Sequence, residues 1–116
     1  MQQDWFADVL EFHVAMDAYI GTKPCEPDGE VRALRTSLDT EEWNELRSAV
    51  LASDLPLVAD SIVDLIYVLI GRAISYGIDL RPLWDAVHKA KLASLKPEGW
   101  QPPDIIGLLH KQVPLK

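Results

Sequence analysis

Five carboxylates in the middle of the chain have the types and spacing to do chemistry. Glu42 and Glu45 stand three apart in "EEWNEL", with Glu41 just before them. Asp60 and Asp64 stand four apart inside the oily run "VADSIVDLIYVLIG", residues 58–71. From Asp39 to Asp64 there are seven acids and a single base, Arg47. Spacings of three and four bring side chains onto one face of a helix. Carboxylates crowded on a face that is also apolar are costly to keep charged unless something neutralises them. With few bases nearby, a hard divalent cation is the natural neutraliser. Mg²⁺ takes oxygen ligands, keeps some of its waters and bridges to substrate phosphates. Acids facing each other from two packed helices are how a helical bundle builds such a site.

The elements that must position these acids follow from apolar periodicity and capping signals. Residues 4–20 read as an amphipathic helix, with Trp5, Phe6, Val9, Leu10, Phe12, Met16, Tyr19 and Ile20 at helical spacing. "GTKPCEPDGE" reads as a loop. Residues 30–52 read as a second helix. Asp54 before Leu55 and Pro56 is an N-cap signal for a third helix, which should run to Tyr76 and stop at Gly77. Asp79 caps a fourth helix through about Ser94, and "DIIGLLHKQ" closes the chain as a short helix after the rigid "KPEGWQPPD". No strand-like alternation is bounded by hairpin turns. The expected fold class is therefore all-α, a bundle of four to five helices in one domain spanning residues 1–116.

On a wheel at about 100° per residue with Leu34 at zero, Leu38 falls at about 40°, and Val31 and Ala49 at about 60°. Glu45 at about 20° and Glu42 at about 80° lie within this apolar stripe, and Glu41 at about 340° lies at its edge. Trp43, at about 180°, points elsewhere. The plainer alternative is that "EEWNEL" is an ordinary solvated surface and that Asp60 is an acid favoured by the helix dipole. Asp64 lies too far along the helix for that, and its structural role would be pairing with Arg35 or Arg72. The third helix is oily on most of its circumference, more than one small subunit can cover, so an obligate oligomer is expected.

Composition bounds the class. Eighteen acids against eleven bases give a net charge of −7, which disfavours a broad nucleic-acid surface. The longest oily run, Leu55 to Ile70, is shorter than the roughly 20 residues of a bilayer span and carries two acids. The single Cys25 forms no internal disulfide, and "MQQDWFADVL" has acids where a signal peptide carries bases, so a cytoplasmic protein is expected. His13, His88 and His110 are too scattered for a zinc site.

The order "RALRTSLDTEEWNEL", "VADSIVDLIYVLIGRAISYGIDL", "WDAVHKAKLASL" and "LKPEGWQPPDI" resembles the MazG-like all-α nucleoside triphosphate pyrophosphohydrolases, in particular the small branch similar to phosphoribosyl-ATP pyrophosphohydrolase. The resemblance runs from "EFH" to "GWQPPDI". It implies a Mg²⁺-dependent enzyme, with Mn²⁺ as a substitute, that cleaves between the α and β phosphates to give a nucleoside monophosphate and pyrophosphate. It also implies clearance of unwanted nucleotides and a homodimer, or a tetramer built from dimers. The family hallmark is E-x-x-E on one helix and E-x-x-D on the next. Glu42 and Glu45 match the first, and Asp64 matches the Asp of the second. The Glu of the second is replaced by Ser61, with Asp60 as the neighbouring substitute. The resemblance thus assigns the metal to Glu42, Glu45, Asp60 and Asp64. Glu41, at the edge of the acidic face, becomes the candidate for orienting or deprotonating the attacking water. Lys89, Lys91 and Lys96 are candidates for phosphate contact, their plainer role being helix-end lysines that favour the dipole. Lys91 and Ser94 depart from the Asn and Lys of the relatives' "VHRSNMSK"-like segment. Two other readings accompany the leading one: phosphoribosyl-ATP as the substrate, and a helical nucleotide-binding or interaction module without turnover.

Overall fold

The computed structural model describes residues 3–116; Met1 and Gln2, at the head of the segment read against a signal peptide, lie outside it. Its elements are α1 (Trp5–Ala15), α2 (Gly29–Leu51), α3 (Leu55–Ser75), α4 (Leu80–Ala93) and α5 (Ile105–His110). Among the described residues there is no strand, and no helix is long and apolar enough to cross a membrane.

Each helix starts on an aspartate. The side chains of Asp4, Asp28, Asp54, Asp79 and Asp104 accept from backbone N–H groups that have no partner within the first turn. Three of these caps precede helices whose starts the sequence marks, at Asp54, Asp79 and Asp104. The expected first helix is shorter than its apolar pattern. Asp17 adopts φ 54°, and the Ala18 N–H turns back to the His13 carbonyl at 3.0 Å, which ends α1 at Ala15 and leaves Met16 and Tyr19 exposed. At the other end of α3, Gly77 at φ +72° closes the helix as expected, with its N–H on the Ile74 carbonyl at 3.0 Å.

The core forms where α1 crosses α3. Phe6 and Val9 of α1 are buried against Ile70 and Ile74 of α3, with Leu10, Ile20, Ile66, Leu80 and Leu115 packed around them. α2 lies antiparallel to α3 along most of its length, joined by a tight turn in which Ser53 adopts φ 53°. α4 packs along α5 rather than along α2. Its start is tied to the bundle by Arg81, which pairs with Asp4 and Asp79 at 2.9 Å each.

The buried face of α2 is turned to one side of the apolar stripe, away from its Leu34 edge. Leu34 is 57% exposed, whereas Arg35 and Ala49 are buried and Glu42 and Leu46 are half-buried. The buried face is therefore centred on Glu42. The cause is polar: Arg35 reaches the Val68 carbonyl and Asp39 reaches Arg72, so the face of α2 that meets α3 carries ion pairs and hydrogen bonds as well as aliphatic groups.

Candidate functional site

The rotation of α2 places Glu42 at the α2–α3 interface, flanked by Glu41 and Glu45. One carboxylate oxygen from each of Glu41, Glu42 and Glu45 lies within 4.8 Å of the others. Glu41 and Glu45 are exposed and Glu42 is half-buried. The Glu42 Oε2 atom is shut off from solvent without a hydrogen-bond partner. A buried carboxylate oxygen without a donor is unusual in a native fold and marks a place where a cation or water completes the structure. Burial is also the first cause holding the Glu42 carboxyl above its ordinary pKa, followed by the charges of Glu45, Asp64 and Glu41.

Asp64 thus acts on Glu42 from α3. It is half-buried and, among the described residues, makes no ion pair. The two bases that could have neutralised it are engaged elsewhere. Arg72 pairs with Asp39 at 2.7 Å, and Arg35 donates to the Val68 carbonyl at 2.8 Å. Asp60 is exposed, one turn nearer the start of α3, and Asp64 is the α3 acid that stands among the main causes of the shift at Glu42. Ser61, at the position of the hallmark Glu, is 1% exposed. A carboxylate at position 61 would face a closed helix–helix contact, which explains why a small side chain suits this chain there.

The donor set fits a hard cation: oxygen ligands only, one of them buried and unsatisfied, with surplus negative charge and no base among them. Glu42 and Glu45 would hold such an ion, with Asp64 acting on them from α3 and Glu41 within 4.8 Å at the margin. Lys89 and Lys91 are exposed on α4, and Lys96 is exposed in the turn beyond it. Because α4 packs along α5, the structure does not bring these lysines into the acidic cluster. Trp43 is half exposed, on the side of α2 away from the buried face, as the wheel predicts. A cleft lies elsewhere. It occupies about 230 Å³ between α1 and α3, and its lining includes Trp5, Val9, Val63, Ile66, Tyr67 and Ile70 but none of the five candidate acids.

Sequence reasoning named Arg35 and Arg72 as possible partners of Asp64; what it missed is that they engage the Val68 carbonyl and Asp39 instead. The signal was present: Arg35, Asp39, Glu42 and Leu46 recur at spacings of four, three and four, one continuous helical face.

No curated protein matches the chain at a significant level. A family model does, that of phosphoribosyl-ATP pyrophosphohydrolase, over residues 9–91. The matched segment contains α2, α3 and all five candidate acids, and leaves out the "LKPEGWQPPDI" tail that also carried the resemblance. Covering well over half of the sequence and agreeing with the all-helical architecture, this match shows that the chain belongs to the phosphoribosyl-ATP pyrophosphohydrolase family of the all-α MazG-like superfamily.

Proposed function

We propose that the protein is a Mg²⁺-dependent pyrophosphohydrolase that cleaves a nucleoside triphosphate between its α and β phosphates. The observation that carries this reading is the Glu41–Glu42–Glu45 cluster with the unpartnered, buried Glu42 Oε2, together with an Asp64 that pairs with no base among the described residues. A bound divalent cation supplies charge neutralisation for the phosphate oxygens and lowers the pKa of water. Glu42, anchored at the helix interface, fixes the position of the cluster. Glu45 and Asp64 add negative charge from two different helices. Glu41, exposed at the margin, is placed to accept a proton from an attacking water or to orient it. Asp60, more exposed, assists from one turn away.

Phosphoribosyl-ATP is the second reading of the substrate, favoured by the family that matches the chain. It carries the same triphosphate, so the two readings share their chemistry and differ only in what surrounds the base. The test is incubation with Mg²⁺ and a panel of nucleoside triphosphates and phosphoribosyl-ATP, followed by separate assays for pyrophosphate and orthophosphate. Pyrophosphate release that is lost in Glu42→Gln and Glu45→Gln supports the reading. Orthophosphate as the product, or full activity in either variant, overturns it. Binding without turnover would favour the interaction-module alternative.

A homodimer, or a tetramer of dimers, is part of the proposal. The accessible surface is 8479 Å². A compact monomer of 13.0 kDa exposes about 6,300 Å². The excess, about 2,100 Å², is the area that one protomer contributes to a large obligate interface. Many large apolar side chains are uncovered: Trp5 and Phe12 of α1, Leu55, Ile62, Val63 and Leu69 of α3, and Trp84 and Leu92 of α4 are all exposed. α4 is amphipathic yet has no fully buried residue. A second copy of the chain is the economical cover for these faces.

A further inference from the structure

Whether Glu42 faces Asp64 depends on the register of α2 against α3, and two arginines cross that interface in opposite directions. From α3, Arg72 donates through Nε to Asp39 Oδ2 at 2.7 Å and through Nη2 to Thr36 Oγ1 at 2.9 Å, while its Nη1 reaches the Tyr76 hydroxyl at 2.8 Å. From α2, Arg35 donates through Nη2 to the carbonyl of Val68 at 2.8 Å. Asp39 lies one turn before Glu42, and Val68 lies one turn after Asp64. The crossing contacts therefore sit directly beside the acidic site without touching it.

Stability alone does not account for this arrangement. Arg35 is 8% exposed and makes no ion pair, and its Nε, like Asp39 Oδ1, is buried without a partner. The Asp39 charge nearby offsets only part of the cost of burying this guanidinium, and an apolar contact of the same shape would serve packing better. α3 is also shaped to admit it. A Cβ on Gly71 would overlap Arg35 Nη2 and come within 3.1 Å of His13 Cε1, so glycine leaves a notch that the guanidinium fills. Slipping α2 by one turn, about 5.4 Å, would remove Arg35 from the notch and part Arg72 from Asp39 at once. Apolar ridges alone tolerate neighbouring registers more readily than directional hydrogen bonds do.

We propose that Arg35 and Arg72, with Asp39 and the notch at Gly71, are positioning residues that lock the α2–α3 register and hold Glu42 opposite Asp64. The functional part rests on the reading of the acids as a divalent-cation site. The structural part does not, and the experiment separates the two. Metal-free wild type, Arg72→Met and Arg72→Lys are compared at a temperature where circular dichroism shows each fully folded. Mn²⁺ binding is read by electron paramagnetic resonance. Register is read from the distance between nitroxides at Asn44 and Ile62 in a Cys25→Ser background, with labelled chains diluted into unlabelled ones.

Arg72→Met is expected to weaken Mn²⁺ binding by a few-fold to about tenfold, because the acids are no longer held in register, the size of effect that a coupled residue without ligand contact has. It should also shift or broaden the distance distribution. Arg72→Lys, which keeps a charge for Asp39 but not the fork that reaches Thr36, should recover part of both. Unchanged Mn²⁺ affinity and unchanged distance in a folded Arg72→Met overturn the proposal, whatever happens to its melting temperature. If wild type binds no Mn²⁺, the cation reading falls and the distance arm alone decides the lock. Should Arg72→Met not fold, Asp39→Asn removes the same ion pair with little change of shape and takes its place under the same criteria.

Discussion

Glu42→Gln should stabilise the metal-free protein at neutral pH. Glutamine keeps the shape of glutamate and removes its charge. Glu42 has a carboxylate oxygen within 4.8 Å of one on Glu41 and one on Glu45. At that separation, two unit charges repel by about 0.9 kcal/mol even at the dielectric constant of water. Two such pairs give about 2 kcal/mol, and screening by salt reduces this toward about 1 kcal/mol at ordinary ionic strength. For a domain of this size 1 kcal/mol moves the midpoint by roughly 4 °C or more, so a rise of about 4–8 °C is expected in chelator at low salt. The sign follows from proton linkage. The Glu42 pKa is raised above the ordinary 4.5, so the folded state holds its proton more tightly than the unfolded state does. Stability is then lost as pH rises from 4.5 through the folded value, and the variant's advantage should be full above that window and vanish below it. The assay is thermal unfolding followed by circular dichroism, for wild type and variant, across pH and with chelator or Mg²⁺. At a free concentration a hundred times its Kd, Mg²⁺ should add about 2.7 kcal/mol to wild type and much less to the variant. A variant less stable than wild type in chelator at neutral pH, or a wild type indifferent to divalent cations, would refute the reasoning.

Asp64→Asn should likewise raise the midpoint in chelator and cancel most of the Mg²⁺-induced rise. Asp64 acts on Glu42 as a like charge and, among the described residues, has no basic partner to leave behind. Asp60→Asn should reduce that rise less, because Asp60 is exposed whereas Asp64 is half-buried and among the main charges acting on Glu42; equal effects of the two substitutions would count against the difference drawn between them. Sedimentation equilibrium at micromolar concentration should give a dimer or tetramer, and a mass of 13.0 kDa alone would remove the argument from uncovered surface.

Much of this protein is determined within single helical turns, and that part is legible in the sequence. Asp54 and Asp79 announce the starts of α3 and α4 because a cap needs only an acceptor and N–H groups two or three residues on. Gly77 announces the end of α3 because a left-handed φ at a helix end favours glycine. The i, i+3 spacing of Glu42 and Glu45 puts them side by side in any helix, and the absence of strand patterning fixes the class. The end of α1 escaped this logic because Asp17, not a glycine, takes the left-handed turn, and the apolar pattern runs on past it. What the tertiary structure alone decided is how α2 is rotated. The wheel puts Glu42 beside Val31 and Ala49 at one end of a stripe that begins at Leu34, whereas the folded helix turns Glu42 toward the centre of the buried face and leaves Leu34 exposed. The contacts responsible, Arg35 to Val68 and Arg72 to Asp39, each join residues 33 apart in the chain. Rotation and register are properties of two helices together. Local spacing determines which side chains share a face, but only contacts between distant segments determine what that face meets, and so which of two neighbouring aspartates, Asp60 or Asp64, bears on Glu42.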